Sequence, residues 1–168
     1  GKVLGGSSAI NGLIYVRGQP EDYEHWAALG NSGWSWQEVL PYFIRSERNE
    51  RGQDHFHGDS GPQGVSDVGN PNTLARAFID ACVEAATTLG YRRNDDYNGT
   101  DQEGVGHFQM TMRGGRRCSS AAAYLKPARK RGNLHIFTGA QTEGVILEGN
   151  HAVGIRVRRD GALITARA

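Results

Sequence analysis

Cysteine is scarce in this chain. Cys82 and Cys118 are the only two among 168 residues and form neither a C-x-x-C pair nor a disulfide framework, so they are expected to be reduced thiols rather than a redox motif. No apolar run approaches the roughly 18 residues needed to cross a bilayer, and the start, Gly1-Lys2-Val3-Leu4-Gly5-Gly6, resembles neither a signal nor a transit peptide. A soluble protein without a transmembrane segment is expected, with the cytoplasm favoured. There is no internal repeat. Acidic residues are missing between Glu103 and Glu143, while seven of the 19 Lys/Arg residues fall in Arg113–Arg131, a local excess hidden by the net charge of +1. That stretch suits a solvated face or a side turned toward a cofactor. Only Tyr124 offers a stacking surface beside it, so a nucleic-acid partner is not expected.

Glycine, by contrast, is abundant: 24 residues, about twice the usual share. The composition is otherwise globular, with 38% hydrophobic and 22% charged residues. Gly1 to Gly12 reads as a Gly/Ser loop leading into the apolar Leu13-Ile14-Tyr15-Val16. Pro20-Glu21-Asp22 begins a helix that Gly30 ends, because proline suits a first helical turn and glycine the residue after the last. Ser35-Trp36-Gln37-Glu38 fits a capping box opening a second helix, which Pro41 is expected to kink or split. Gly64–Val68 reads as a short strand. Asn72 can cap a third helix, whose apolar positions Leu74, Phe78, Ile79, Cys82, Val83, Ala86 and Leu89 recur at helical spacing.

The run His107–Arg113 alternates with period two. This predicts a strand with Phe108, Met110 and Met112 on a core face and His107, Gln109 and Thr111 on a polar, accessible one. Ser119 or Ser120 can cap a short helix through Ala121–Leu125. Strands are then expected at 134–138, 144–148, 152–157 and 162–166, with Gly149-Asn150 as a hairpin turn. Helices mixed with antiparallel hairpins define an α+β class.

Few residues here carry chemistry unaided. The Gly5-Gly6-Ser7-Ser8 loop offers closely spaced amides without bulky side chains, as close approach to a phosphate or ring edge requires, but it has neither P-loop nor G-x-G-x-x-G spacing. His55-x-His57 could present two imidazoles, yet no third ligand is convincingly spaced beyond Asp54 or Asp59, so no metal site is expected. Asp95-Asp96 with Glu103 could be paired carboxylates. Their neighbours Asn94, Asn98 and Gly99 favour a turn instead.

Taken together, the run from Gly1 to Gly18 with Asp22-Tyr23 and Trp26 resembles the first signature of the glucose–methanol–choline (GMC) oxidoreductases. The likeness continues in Gly33-Trp34-Ser35-Trp36, Val39 to Phe43, His57-Gly58 with Gly61-Pro62, Asn94 to Gly99, Gln102 to Gly106, Arg117 with Ser119-Ser120, Ala123-Tyr124-Leu125 and Asn133-Leu134. It covers nearly the whole chain and points to the choline dehydrogenase-like branch.

The resemblance implies FAD-dependent oxidation of a small-molecule alcohol, with Val3, Gly5, Gly6, Ser7, Asn11, Gly12, Leu13 and Ile14 along the cofactor. It also implies a main-chain contact to adenine at Thr142, where the family usually has valine. Ile10 stands where some relatives carry a flavin-linking histidine, so the FAD is expected to be dissociable. By the same resemblance the nucleotide-binding G-x-G-x-x-G should precede Gly1 and the catalytic histidine should follow Ala168. The chain is therefore expected to be an internal fragment with no catalytic residue of its own, inactive in isolation. The implied architecture is a partial FAD-binding domain with an incomplete substrate-domain sheet and helix: a flavin-contacting loop and lid over 1–62, part of a substrate domain over 63–118, and a returning FAD-domain helix and β-meander over 119–168. Whether electrons leave to a quinone, a dye-like acceptor or oxygen is left open. The other reading is a non-catalytic nucleotide- or partner-binding module.

Overall fold

A computed structural model describes residues 1–167 and divides the chain into two compact units, meeting in sequence at Arg129 and Lys130. The first opens with a single 3-10 turn, Gly6–Ala9, followed by extended chain. Helix α1 is Pro20–Ala28, with Pro20 at its first position and Asp22 accepting from the Gln19 amide at 2.9 Å; Gly30 follows it at φ +94°. Helix α2 is Trp36–Ser46. The expected capping box is formed, Glu38 accepting from the Ser35 amide at 3.1 Å, but the helix runs through Pro41 unbroken. The two helices meet through an aromatic cluster: Tyr23, nearly buried, has Trp26, Trp36 and Phe43 rings at 5.4, 5.5 and 5.8 Å.

Strand β1, Glu47–Asn49, pairs in parallel with β2, Gln63–Val65. The intervening segment 50–62 returns tightly against the chain because Gly58 and Gly61 have no side chain. A Cβ on Gly58 would lie 2.0 Å from the Ile44 carbonyl oxygen, and one on Gly61 would lie 2.3 Å from the Ser46 carbonyl carbon. Helix α3, Thr73–Thr88, is capped by Asn72, whose side chain accepts from the Ala75 amide at 2.7 Å. Its apolar stripe is not buried. Leu74 and Phe78 are 79% and 65% exposed.

The strand expected over 107–113 is reduced to an isolated bridge at Met110, touching both Ile14 and Ser66, and to the two-residue strand β3, Met112–Arg113. β3 turns back into β4, Arg116–Arg117, through Gly114 and Gly115, both at positive φ. The expected division into two faces is not seen either: His107, Met110, Thr111 and Met112 are all half-buried, and two positions are exchanged. Gln109 is 4% exposed, whereas Phe108 is 38% exposed and stacks on Tyr97. A wide helical turn at Ala121–Leu125 follows, with Ser119 accepting from the Ala122 and Ala123 amides, and the short helix α4, Lys126–Ala128, completes this unit.

The second unit is an antiparallel meander of β5, Ala140–Glu148, β6, His151–Arg159, and β7, Ala162–Arg167. Gly149 at φ +60° makes the expected hairpin turn. The strand expected at 134–138 is absent: this segment is irregular, and the first strand begins at Ala140. Its alternation is weak, and no neighbouring segment supplies a ladder for it.

Candidate functional site

Two features of the first unit stand out from its ordinary packing: an open glycine loop and a buried cluster of charge beneath its far end.

The loop is held from below by residues near position 120. Ser8 donates to the Gly5 carbonyl at 2.5 Å and accepts from the Ser120 amide at 2.9 Å, while the Ser120 hydroxyl donates to the same Gly5 carbonyl at 3.1 Å. Arg117 donates to Asn11 Oδ1 at 2.6 Å and to the Ser8 carbonyl at 3.2 Å. Gly5 sits at φ +94°, and a Cβ there would come within 3.1 Å of Ala121 Cβ, so only glycine lets the loop settle on that turn. Leu13 takes a positive φ of 70°, and its carbonyl accepts from both the amide and the hydroxyl of Thr111, at 2.7 and 3.0 Å.

The upper side of this loop is open. Nothing lies within 4 Å of where a Cβ would stand on Gly6 or Gly12, and Val3, Ile10 and Ile14 are 55%, 68% and 53% exposed. Seven of the nine expected cofactor contacts, from Val3 to Gly12 and on to Leu13 and Ile14, therefore share one exposed apolar ribbon with Gly5 as its buried-side anchor. Asn11 keeps its amide group at the rim while its oxygen is held by Arg117. The ninth, Thr142, lies in the second unit, exposed on β5 beside a bulge between Thr142 and Gly144. Arg117, Ser8 and Ser120 were not singled out as site residues from the sequence. The acid-free stretch that contains Arg117 and Ser120 was the available signal.

The charged cluster lies where the ribbon ends. Arg17, 6% exposed, donates to Glu47 Oε2 at 2.7 Å and to the Phe56 carbonyl at 2.7 Å, with its guanidinium 5.2 Å from the Phe43 ring centroid. Glu47 is fully buried and also accepts from the Gly58 amide. His57 bridges two carboxylates, Nδ1 to Glu47 Oε1 at 3.1 Å and Nε2 to Asp96 Oδ2 at 3.0 Å. Both ring nitrogens can donate at once only as imidazolium. The Asp96 and Glu47 bonds accordingly raise its pKa from 6.5 to about 9 against the opposing effect of burial. Burial opposes ionisation of Asp96 too, but the bond from His57, the Asn98 amide and the positive charges of His57 and Arg51 together outweigh it and hold this carboxyl below its ordinary range.

Asn49 and Gln109 exchange side-chain hydrogen bonds at 3.0 and 3.1 Å, and Gln109 also donates to Asp67. Asn98 ties this cluster to the loop's exit, accepting from the Arg17 amide at 2.8 Å and donating to the Tyr15 carbonyl at 3.2 Å.

These contacts give His57 a structural task, with both nitrogens committed to carboxylates. His55 lies outside the cluster, its ring 4.9 Å from that of Phe56. Among the described residues, no three His, Cys, Asp or Glu side chains are grouped to hold a metal ion. The Asp95-Asp96 segment is a turn, with the Asp96 amide donating to Asn94 Oδ1 and the Asn98 amide to Asp96 Oδ1.

The family follows from comparison: the model described as GMC oxidoreductase matches residues 1–168, so the chain belongs to the GMC oxidoreductases. It is 44% identical over all its 168 residues to an oxygen-dependent choline dehydrogenase of Rhizobium johnstonii, of which it spans 30%. Among solved structures it is similar to pyridoxine 4-oxidase from Mesorbium loti, with a TM-score of 0.82 and 34% identity over 96% of this chain and 31% of that one. An FAD-dependent oxidoreductase from Chaetomium thermophilum matches at a TM-score of 0.81 and 25% identity, over 96% of this chain and 30% of that one. The chain thus spans about a third of the length of the proteins it matches. Among the described residues no helix is long and apolar enough to cross a membrane.

Proposed function

We propose that this chain is the flavin-contacting segment of a longer FAD-dependent alcohol oxidoreductase of the choline dehydrogenase-like type. The observation that carries this reading is the ribbon from Val3 to Ile14, open above Gly6 and Gly12 and braced below by Arg117 and Ser120. Its small residues leave room for a flat ring system, its exposed apolar side chains suit an aromatic face, and the Asn11 amide nitrogen can donate at the rim while Arg117 and the Leu13 amide hold its oxygen. Val3, Gly5, Gly6, Ser7, Asn11, Gly12, Leu13 and Ile14 would hold the flavin, and the Thr142 main chain the adenine.

When bound, FAD supplies the acceptor for a hydride leaving the carbinol carbon of a primary alcohol. The chain's own residues orient and shield: Arg117 fixes Asn11, Leu13 is pinned by Thr111, and the Arg17–Glu47–His57 cluster keeps the ribbon's exit from shifting. With Ile10 in place of a linking histidine, the flavin is held without a covalent bond. The three-part division at 62 and 118 is part of this proposal, as is inactivity of the segment by itself. The exposure of Leu74, Phe78 and Leu89 on α3 supports a segment that packs against further chain.

The test is made on the intact protein that carries this chain. It should purify yellow and release its flavin into solution on acid precipitation. Asn11→Ala should weaken flavin retention by about tenfold, the worth of one good polar contact, and lower alcohol oxidation. A colourless protein, or one whose alcohol oxidation is unchanged in Asn11→Ala, would leave only the binding-module reading.

A further inference from the structure

The strongest feature that the proposed activity leaves unused is a cavity of about 640 Å³ lined by Arg48, Arg113, Arg116 and Arg117, together with Pro62 and Cys118. Four guanidinium side chains share one wall system with no acidic residue among its lining. Among the described residues none of the four pairs with a carboxylate, whereas Arg17, Arg51, Arg92, Arg93, Arg158, Arg159 and Arg167 all do. For Arg113, Arg116 and Arg117 the sequence explains why no local partner exists, since no Asp or Glu occurs between Glu103 and Glu143.

The backbone brings these charges together at a cost. Arg113 and Arg116 are direct cross-strand partners in the β3–β4 hairpin, and like charges directly opposite are destabilising. Arg48 in β1 stands opposite Gly64 in β2, and a Cβ on Gly64 would lie 2.7 Å from Arg113 Cβ, so the missing side chain is what lets the hairpin close over that strand pair. Arg48 is further oriented by donating to the Gly61 and Ser60 carbonyls at 2.8 and 3.1 Å. Arg117 carries a second duty at its other edge, on Asn11 and the Ser8 carbonyl.

We propose that this cavity binds a dianionic phosphate group, free or carried on a small ester. A phosphate oxygen set matches several planar guanidinium donors at once, and it would offset the repulsion between Arg113 and Arg116 that nothing else in the chain neutralises. The site shares Arg117 with the brace of the ribbon proposed for the flavin but does not depend on that assignment.

The test measures binding of inorganic phosphate and of glycerol 3-phosphate to the intact protein by calorimetry, at fixed ionic strength with chloride as the balancing anion. It is run with and without saturating FAD. Saturable binding near one equivalent is expected in both conditions, weakened at least about tenfold in Arg113→Ser/Arg116→Ser. Arg116→Lys, which keeps the charge but loses the planar fork, should bind more tightly than Arg116→Ser, and an unchanged unfolding transition of the double Ser variant shows that its loss is not misfolding. Tighter binding of the ester would assign the group to a phosphorylated metabolite, and equal binding to free phosphate. No saturable binding, affinity unchanged in the double variant, or complete competition by FAD would overturn the proposal, the last by making the cavity part of a flavin diphosphate site.

Discussion

The buried histidine gives a sharp expectation about pH. His57 is 4% exposed and held between Glu47 and Asp96, with its pKa raised from 6.5 to about 9. A group whose folded pKa is raised binds its proton more tightly in the native state. Its contribution is therefore fully present below about pH 6.5, falls as the pH climbs, and is gone once the folded value near 9 has been passed. At 1.36 kcal/mol per unit, the contribution amounts to about 3 kcal/mol, a large part of an ordinary domain's net stability. The measurement is urea unfolding of the protein from pH 6 to pH 10, followed by tryptophan fluorescence, alongside His57→Gln. The substitution lowers stability at pH 6 and should flatten the pH dependence between roughly 6.5 and 9. Equal slopes for the two proteins across that window would refute the imidazolium assignment. Glu47→Gln is a second arm: it leaves Arg17 and His57 without their shared counter-charge and should cost about 3–5 kcal/mol near neutrality.

Two smaller perturbations probe the backbone. Gly58→Ala places a methyl 2.0 Å from the Ile44 carbonyl oxygen with no flexible neighbour to give way, so unfolding experiments should show a loss of more than about 2 kcal/mol, and a near-neutral change would mean the 50–62 crossing is looser than described. Asn72→Ala removes only the cap of α3 and should lower stability by about 1 kcal/mol, with Asn72→Ser recovering most of it.

The helices were legible because their signals are local. Pro20 and Gly30, the Ser35/Glu38 box and the Asn72 cap all act within one turn of the chain, and each of the three helices formed where its signals placed it. The hairpin at Gly149-Asn150 was readable for the same reason. Alternation at 107–113 misled, because the position that matters there is Gln109. It turns inward to meet Asn49, sixty residues away, and a polar partner at that distance leaves no periodic trace. The charge cluster was hidden in the same way: Arg17, Glu47, His57 and Asp96 look like unrelated loop residues until the fold brings them together. Pro41 did not break α2, since packing of Trp36 and Phe43 on Tyr23 of α1 outweighs the loss of one helical hydrogen bond.

The same cluster constrains how the polypeptide reaches its native state. A carboxylate as enclosed as Glu47 cannot leave water ahead of its counter-ions, and those are supplied from thirty residues upstream and ten downstream, with Asp96 a further thirty-nine beyond His57. The helices can form early from local contacts, but the enclosure of this charge must come late, after three loops of ten to thirty-nine residues have closed. A nascent chain that has emerged only as far as β2 would hold Arg17, Glu47 and His57 without Asp96, a half-neutralised knot that favours staying hydrated until the Asn94–Asn98 turn arrives.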